Sequence, residues 1–163
     1  MIPDIRKADD ADIPAIIEIY NEAILTTTAT FDIEPKSIAA QRKWFKAHGI
    51  RNPIFVAVID NNVIGWISLC EYSTRCAYAD TAELSLYVKG SFQNQGIGKK
   101  LMQAVLTEGK KVGLHTVISR IAGGNKISIY LHKQFSFKDI GVMKEVGKKF
   151  GKILDVYIMQ KIY

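Results

Sequence analysis

Long apolar runs are missing from this chain. No stretch approaches the roughly 20 consecutive apolar residues that cross a bilayer, and the opening MIPDIRKADD is too charged for the hydrophobic region of a secretory signal. A cytoplasmic protein with no membrane partner is therefore expected. Cysteine is scarce, with only Cys70 and Cys76. Two are too few for a disulfide framework and they lack metal-ligand spacing, so reduced packing residues and no metal are expected. Internal repeats, low-complexity tracts and linkers rich in proline, glycine or serine are also absent, and nothing marks a place to divide the chain. Its 163 residues, 48% hydrophobic and 23% charged, predict a single domain, 1–163, large enough to bury a substantial core.

What is present in excess is positive charge. A formal net charge of +6 favours an anionic partner without naming it. The lysines are spread over several elements with no aromatic-basic interleaving, which argues against a nucleic-acid reader and leaves no nucleic-acid partner expected.

Hydrophobic periodicity orders the elements. Ile2 to Ala8 reads as a short strand. In DDADIPAIIEIYNEAIL, Asp12 is a candidate N-cap, Pro14 sits near the start, and Ile13, Ile16, Ile17, Tyr20 and Ile24 share one helical face. TTTATFDIEP suggests an extended loop before a second helix around Ser37 to His48. IFVAVIDNNVIGWISLCEY carries two apolar runs around Asp60-Asn61-Asn62, residues suited to the positive φ of a tight hairpin. TAELSLYV, residues 81–88, alternates Leu84, Leu86 and Val88 with Glu83, Ser85 and Tyr87, giving one apolar face and one chemically equipped face. Ile97, Leu101, Val105 and Val112 then recur at helical spacing up to Gly113, a plausible C-cap. HTVISRIA is a strand, Asn125 to Gln134 a short helix, and the remainder a closing hairpin that turns near Gly151. The order β α α β β β α β α β β predicts a layered α/β (α+β) fold with helices covering a central sheet.

The stretch QNQGIGKKL, 93–101, lies where an apolar strand gives way to an amphipathic helix. Such a bend presents main-chain N–H groups that the helix cannot satisfy, and with the helix dipole they form a site for phosphate. Glycine at 96 and 98 would let oxygens approach without meeting a Cβ, and Lys99 and Lys100 add positive charge. The plainer reading is an ordinary tight turn with two solvated lysines. A P-loop is excluded because Gln93 stands where glycine is needed and Lys100 where serine or threonine is needed. A dinucleotide fingerprint is excluded by Leu101.

Gln93, Gly96 and Gly98, placed directly after an apolar strand, resemble the Q/R-x-x-G-x-G/A pattern of the GNAT superfamily of acetyltransferases. TAELSLYV, RCAYADTAE, NKISIYLHKQFSF and KEVGKKFGKILDVYIMQK together resemble its phosphinothricin and methionine sulfoximine acetyltransferase branch, from about residue 30 to the end. The resemblance implies the GNAT acyl-CoA N-acyltransferase fold, a mixed and mostly antiparallel twisted sheet of about seven strands flanked by about four helices. It implies acetyl-CoA as cosubstrate, with its diphosphate on main-chain amides of Asn94, Gln95, Gly96, Ile97, Gly98 and Lys99. It places the pantetheine arm along Leu86, Tyr87 and Val88, and Asn125 beside the cosubstrate. A homodimer is expected by the same analogy. Ser136 and Leu154 depart from the branch, which usually has glycine and tryptophan there.

Acetyl transfer to an amine requires an unprotonated amine, a stabilised oxyanion and a proton for the leaving thiolate. Glu83, on the polar face of its strand, is the candidate base. On sequence alone it reads more readily as a solvated strand carboxylate, and the resemblance reverses that order in favour of the catalytic role. His132 corresponds to the histidine of this branch and is a candidate donor to the thiolate, although a thiol with an ordinary pKa near 8.5 does not require one. Arg75, in the loop before the strand, could grip an acceptor's α-carboxylate bidentately, and the R-x-A-Y resemblance points the same way. Phe31, Glu71, Tyr72 and Tyr78 are candidate pocket walls. The expectation is an N-acetyltransferase that acetylates the α-amino group of a small amino-acid-like acceptor, such as phosphinothricin, methionine sulfoximine or methionine sulfone, by direct transfer in a ternary complex. The alternatives are acetylation of protein N-termini, lysines or polyamines, or a non-catalytic CoA-binding sensor.

Overall fold

A computed structural model describes all residues, Met1 to Tyr163. Seven strands form one sheet: β1 (Asp4–Lys7), β2 (Ile54–Ile59), β3 (Asn62–Glu71), β4 (Thr81–Val88), β5 (Thr116–Ala122), β6 (Lys138–Lys149) and β7 (Lys152–Ile162). Their order is β1-β2-β3-β4-β5-β7-β6. Every neighbouring pair is antiparallel except β4 and β5, which run parallel. Four helices accompany the sheet: α1 (Ile13–Thr26), α2 (Ile38–Lys46), α3 (Ile97–Lys111) and α4 (Lys126–Gln134). This is the expected element order, with three short 3₁₀ turns added.

The hairpin between β2 and β3 turns on Asp60 and Asn61, at φ 49° and 63°. That is the doubly positive geometry that matches the twist of the flanking strands. Ser37 caps α2 by accepting from the Ala40 amide at 3.1 Å. Asp12 differs from its expected capping role: its side chain makes no cap bond to α1. Both its oxygens accept from Arg6, at 2.7 and 2.8 Å, and it closes back on the Asp9 amide at 2.9 Å. A buried carboxylate gains more from a paired guanidinium than from one amide. Asp9 instead caps the preceding 3₁₀ turn, Asp10–Asp12.

The larger core lies beneath α3, where Leu101, Met102 and Val105 are fully buried against Ile67, Leu69 and Val117 of the sheet. Each such side chain contributes about 1.5–3 kcal/mol by leaving water. The other face packs Ile16 and Ile19 of α1 against Val56 and Trp66. Along β3 and β4 the paired residues Trp66 and Tyr87, Ser68 and Ser85, and Cys70 and Glu83 stand on this second face.

Candidate active site

Parallel pairing of β4 with β5 covers only Thr81–Thr116, Ala82–Val117 and Glu83–Ile118. Beyond Glu83 the strands diverge, because β4 runs on with β3 while β5 follows β7. The edge of β4 from Leu84 to Val88 therefore faces an opening shaped like a V. At its narrow end Glu83 meets Arg120: Nε donates to Oε1 at 2.8 Å and Nη2 to Oε2 at 2.5 Å. The bidentate contact raises the Arg120 pKa further above its usual value.

A cavity of about 490 Å³ fills the V, with Glu83, Arg120, Phe31, His132 and Asn125 among its walls. Phe31 is wedged against Gly147 of β6, where any β-carbon would strike its ring. A second cavity of about 370 Å³ runs along the start of α3. Its walls include Leu86, Tyr87, Val88, Gln93, Asn94, Gly96, Ile97, Gly98, Lys99 and Asn125, so every expected cosubstrate residue except Gln95 borders it. The two cavities share Ala29, Leu86, Tyr87, Asn125 and Ser128 in their walls and adjoin along them, the two halves of one cleft.

The bend at the head of α3 has the electrostatics of an anion site. None of the six main-chain amides from Asn94 to Lys99 has an acceptor within the chain; the first bonded one is Lys100, which donates to Gly96 O at 3.3 Å. Unsatisfied amides at a helix start, with the positive end of the dipole, suit a diphosphate. Gly96 sits at φ +79°, a left-handed conformation open to glycine. Gly98 has a different reason: a β-carbon there would stand 3.3 Å from Leu131 of α4. Gln93 and Gln95 brace the loop, donating to Val88 O at 3.1 Å and Ser91 O at 3.2 Å. Glu22 of α1 adds a brace by accepting from the Gly90 amide at 3.0 Å.

Asn125 caps α4, its Oδ1 accepting from the Ser128 amide at 3.2 Å. His132 is buried, with Nδ1 2.7 Å from Ser128 O and Nε2 without any partner. A carbonyl oxygen only accepts, so Nδ1 carries the proton and Nε2 is a bare acceptor. Burial lowers the imidazole pKa and so favours the neutral ring. A neutral ring held this way lacks the second proton that a donor to a thiolate needs.

Arg75, Glu71, Tyr72 and Tyr78 do not border the cleft. Arg75 is exposed ahead of a 3₁₀ turn, and Tyr72 packs edge-on to Tyr78 at 5.3 Å. Residues not singled out from the sequence border it instead: Arg120, Tyr20, Thr30 and Ser119. Tyr20 bonds Thr30 Oγ1 at 3.1 Å and donates to Asp32. Together with desolvation, the Asp32 contact raises its pKa well above the usual phenol value. Arg120 carries no local signal, since its position follows from the register of β4 with β5.

A V-shaped opening between two parallel strands, with a free-amide bend at the head of the next helix, is the framework of an acyl-CoA-dependent transferase. Residues 16–137 match the model of the acetyltransferase (GNAT) family, and the chain belongs to that family. It is 36% identical over 162 residues to the L-methionine sulfoximine/L-methionine sulfone acetyltransferase of Pseudomonas paraeruginosa, covering 98% of this chain and 94% of that one. It is 30% identical over 156 residues to the phosphinothricin N-acetyltransferase of Streptomyces coelicolor, covering 93% and 91%. A crystal structure of a phosphinothricin acetyltransferase from Sinorhizobium meliloti in complex with acetyl-CoA superposes with a TM-score of 0.95 at 33% identity, over 99% of this chain and 89% of that one.

Proposed function

We propose that the protein transfers an acetyl group from acetyl-CoA to the α-amino group of a small amino-acid-like acceptor of the methionine sulfoximine, methionine sulfone or phosphinothricin type. One observation carries this reading: two adjoining cavities place six acceptor-free amides at one end and the Glu83 carboxylate at the other. The net charge of +6 suits the same anionic cosubstrate.

In this mechanism the amides of Asn94 to Lys99 hold the diphosphate. The unpaired edge of β4 at Leu86, Tyr87 and Val88 carries the pantetheine arm, with Asn125 alongside. Glu83 takes a proton from the acceptor's ammonium and passes it to solvent. The freed amine attacks the acetyl carbon, the C–N bond forms and the C–S bond breaks. The proton still on nitrogen in the tetrahedral intermediate ends on sulfur. A main-chain N–H of the Leu86 to Val88 stretch holds the oxyanion, a contribution of roughly 3–4 kcal/mol. His132 enters as a neutral acceptor beside this chemistry and not as its acid.

Transfer is direct. The Cys70 thiol is engaged with His48 Nε2 at 3.2 Å and its pKa is raised by burial, so it offers no thiolate for an acyl-enzyme. No helix is long and apolar enough to cross a membrane. The working form is read as one cytoplasmic domain that pairs with a second copy of itself. The β6–β7 hairpin supports that pairing with exposed Ile140, Val142, Val146, Phe150 and Ile153.

A thiol-release assay over amino acids, sulfoximines, sulfones, polyamines and peptides tests the proposal, with products weighed by mass spectrometry. The expected product is an N-acetyl amino acid analogue. Turnover confined to polyamines or peptides overturns the proposal in favour of those acceptors, and acetyl-CoA binding without turnover overturns it in favour of a sensor.

A further inference from the structure

We propose that Arg120 selects the acceptor: its guanidinium holds the α-carboxylate of the incoming amino acid while Glu83 faces that molecule's ammonium. The inference rests on the amino-acid acetyltransferase reading above and adds the residue that recognises the acid end.

The geometry of the pair leads to it. Glu83 engages only the Nε–Nη2 edge of the guanidinium. Of the five N–H donors of an arginine, three remain, and two of them form the parallel Nη1–Nη2 fork that fits a carboxylate bidentately. That fork has no partner in the chain, and the Arg120 side chain is 55% exposed against 22% for Glu83. Arg120 lies two residues beyond Ile118, the last residue of β5 paired with β4, so strand alternation puts it on the same face as Glu83 at the apex of the V. Both residues line the cavity that adjoins the one at the head of α3.

An α-amino acid carries an ammonium and a carboxylate on one carbon. The apex offers a carboxylate and a guanidinium in direct contact, the complementary pair of charges. A polyamine brings only cations and meets Arg120 as a like charge, and a peptide N-terminus has an amide where the fork needs a carboxylate. Arg75 has no ion-pair partner either, but it does not border the cleft and is not placed to do this.

The test compares L-methionine sulfone with its carboxamide, which keeps the ammonium and removes the carboxylate. Both are assayed at one pH with wild-type enzyme, Arg120→Met, Arg120→Lys and Arg75→Met. Wild type is expected to prefer the acid by at least about tenfold in kcat/KM. Arg120→Met should lose most of that preference through a raised KM for the acid, Arg120→Lys should recover part of it, and Arg75→Met should keep it. An unchanged Kd for acetyl-CoA establishes that each variant is folded, and the wild-type comparison stands without any variant. Equal use of acid and amide by wild type, full preference retained in Arg120→Met, or preference lost in Arg75→Met would overturn this inference alone. Wild type that acetylates neither compound, nor methionine sulfoximine or phosphinothricin, removes the amino-acid reading and this inference with it.

Discussion

Lys149, buried near the end of β6, donates from Nζ to the main-chain carbonyl of Thr30 at 2.8 Å, across 119 residues of sequence. The contact ties the loop after α1, which carries Phe31 into the cleft, to the hairpin that closes the sheet. Replacing Lys149 by Met should cost roughly 1.5–3 kcal/mol, the range for a hydrogen bond to a charged group. KM for the acceptor should rise several-fold while KM for acetyl-CoA stays the same. Urea denaturation and two-substrate kinetics measure both effects, and an unchanged acceptor KM would show that the tether does not position the wall.

Glu83→Gln keeps the shape of the apex and removes the carboxylate proposed as the base. A loss of about 10²-fold or more in kcat/KM is expected, since general base catalysis contributes roughly 10² to 10⁴. The Kd for acetyl-CoA, read by calorimetry, should change less than twofold. Wild-type kinetics in this variant would take Glu83 out of the proton transfer.

Gly96→Ala forces a β-carbon into a left-handed conformation at φ +79°, in otherwise open space, at a cost of about 1–2 kcal/mol. The bend should relax and its amides should lose their convergence. A KM for acetyl-CoA raised several-fold, with acceptor KM unchanged, is the expected pattern. Equal effects on both substrates would point instead to general loosening of α3.

One buried and one half-buried histidine, His132 and His48, are expected to set an acid-side stability slope. Burial lowers the pKa of both His48 and His132. Once unfolded, each takes up a proton near pH 6.5, while the folded rings stay neutral. The unfolded state then binds more protons, so stability is full above about pH 6.5 and falls as the pH drops toward the folded-state values, by up to ~1.4 kcal/mol per pH unit for each ring. Melting temperatures from pH 8 to 5 should show this slope, and it should shrink in His132→Asn. Melting that is flat across this range would mean that the folded rings take up protons as readily as the unfolded ones.

Local patterns in the sequence carried much of this fold. The alternation of Leu84, Leu86 and Val88 marks β4 to the residue, and Asp60-Asn61 and Ser37 mark a hairpin and a helix start by their own side-chain chemistry. Asp12 misleads because its carboxylate is claimed by Arg6, six residues back, and strand-to-helix packing of that kind leaves no trace in helical periodicity. The bend at 93–99 is legible because its backbone needs are local. Arg120 is not, since nothing near it distinguishes a cavity guanidinium from a solvated strand residue until β4 lies beside β5. Thr30 and Lys149 are hidden for the same reason: their meeting is a property of the closed sheet.

The three-residue limit on pairing between β4 and β5 also bears on how this enzyme holds together. A sheet whose middle ladder stops early has its weakest seam at its centre, and an amide-bearing occupant laid into the gap acts as a splint across it. Resistance to heat and proteases should then track the supply of the acyl donor, and a chain starved of it would be among the first to be cleared.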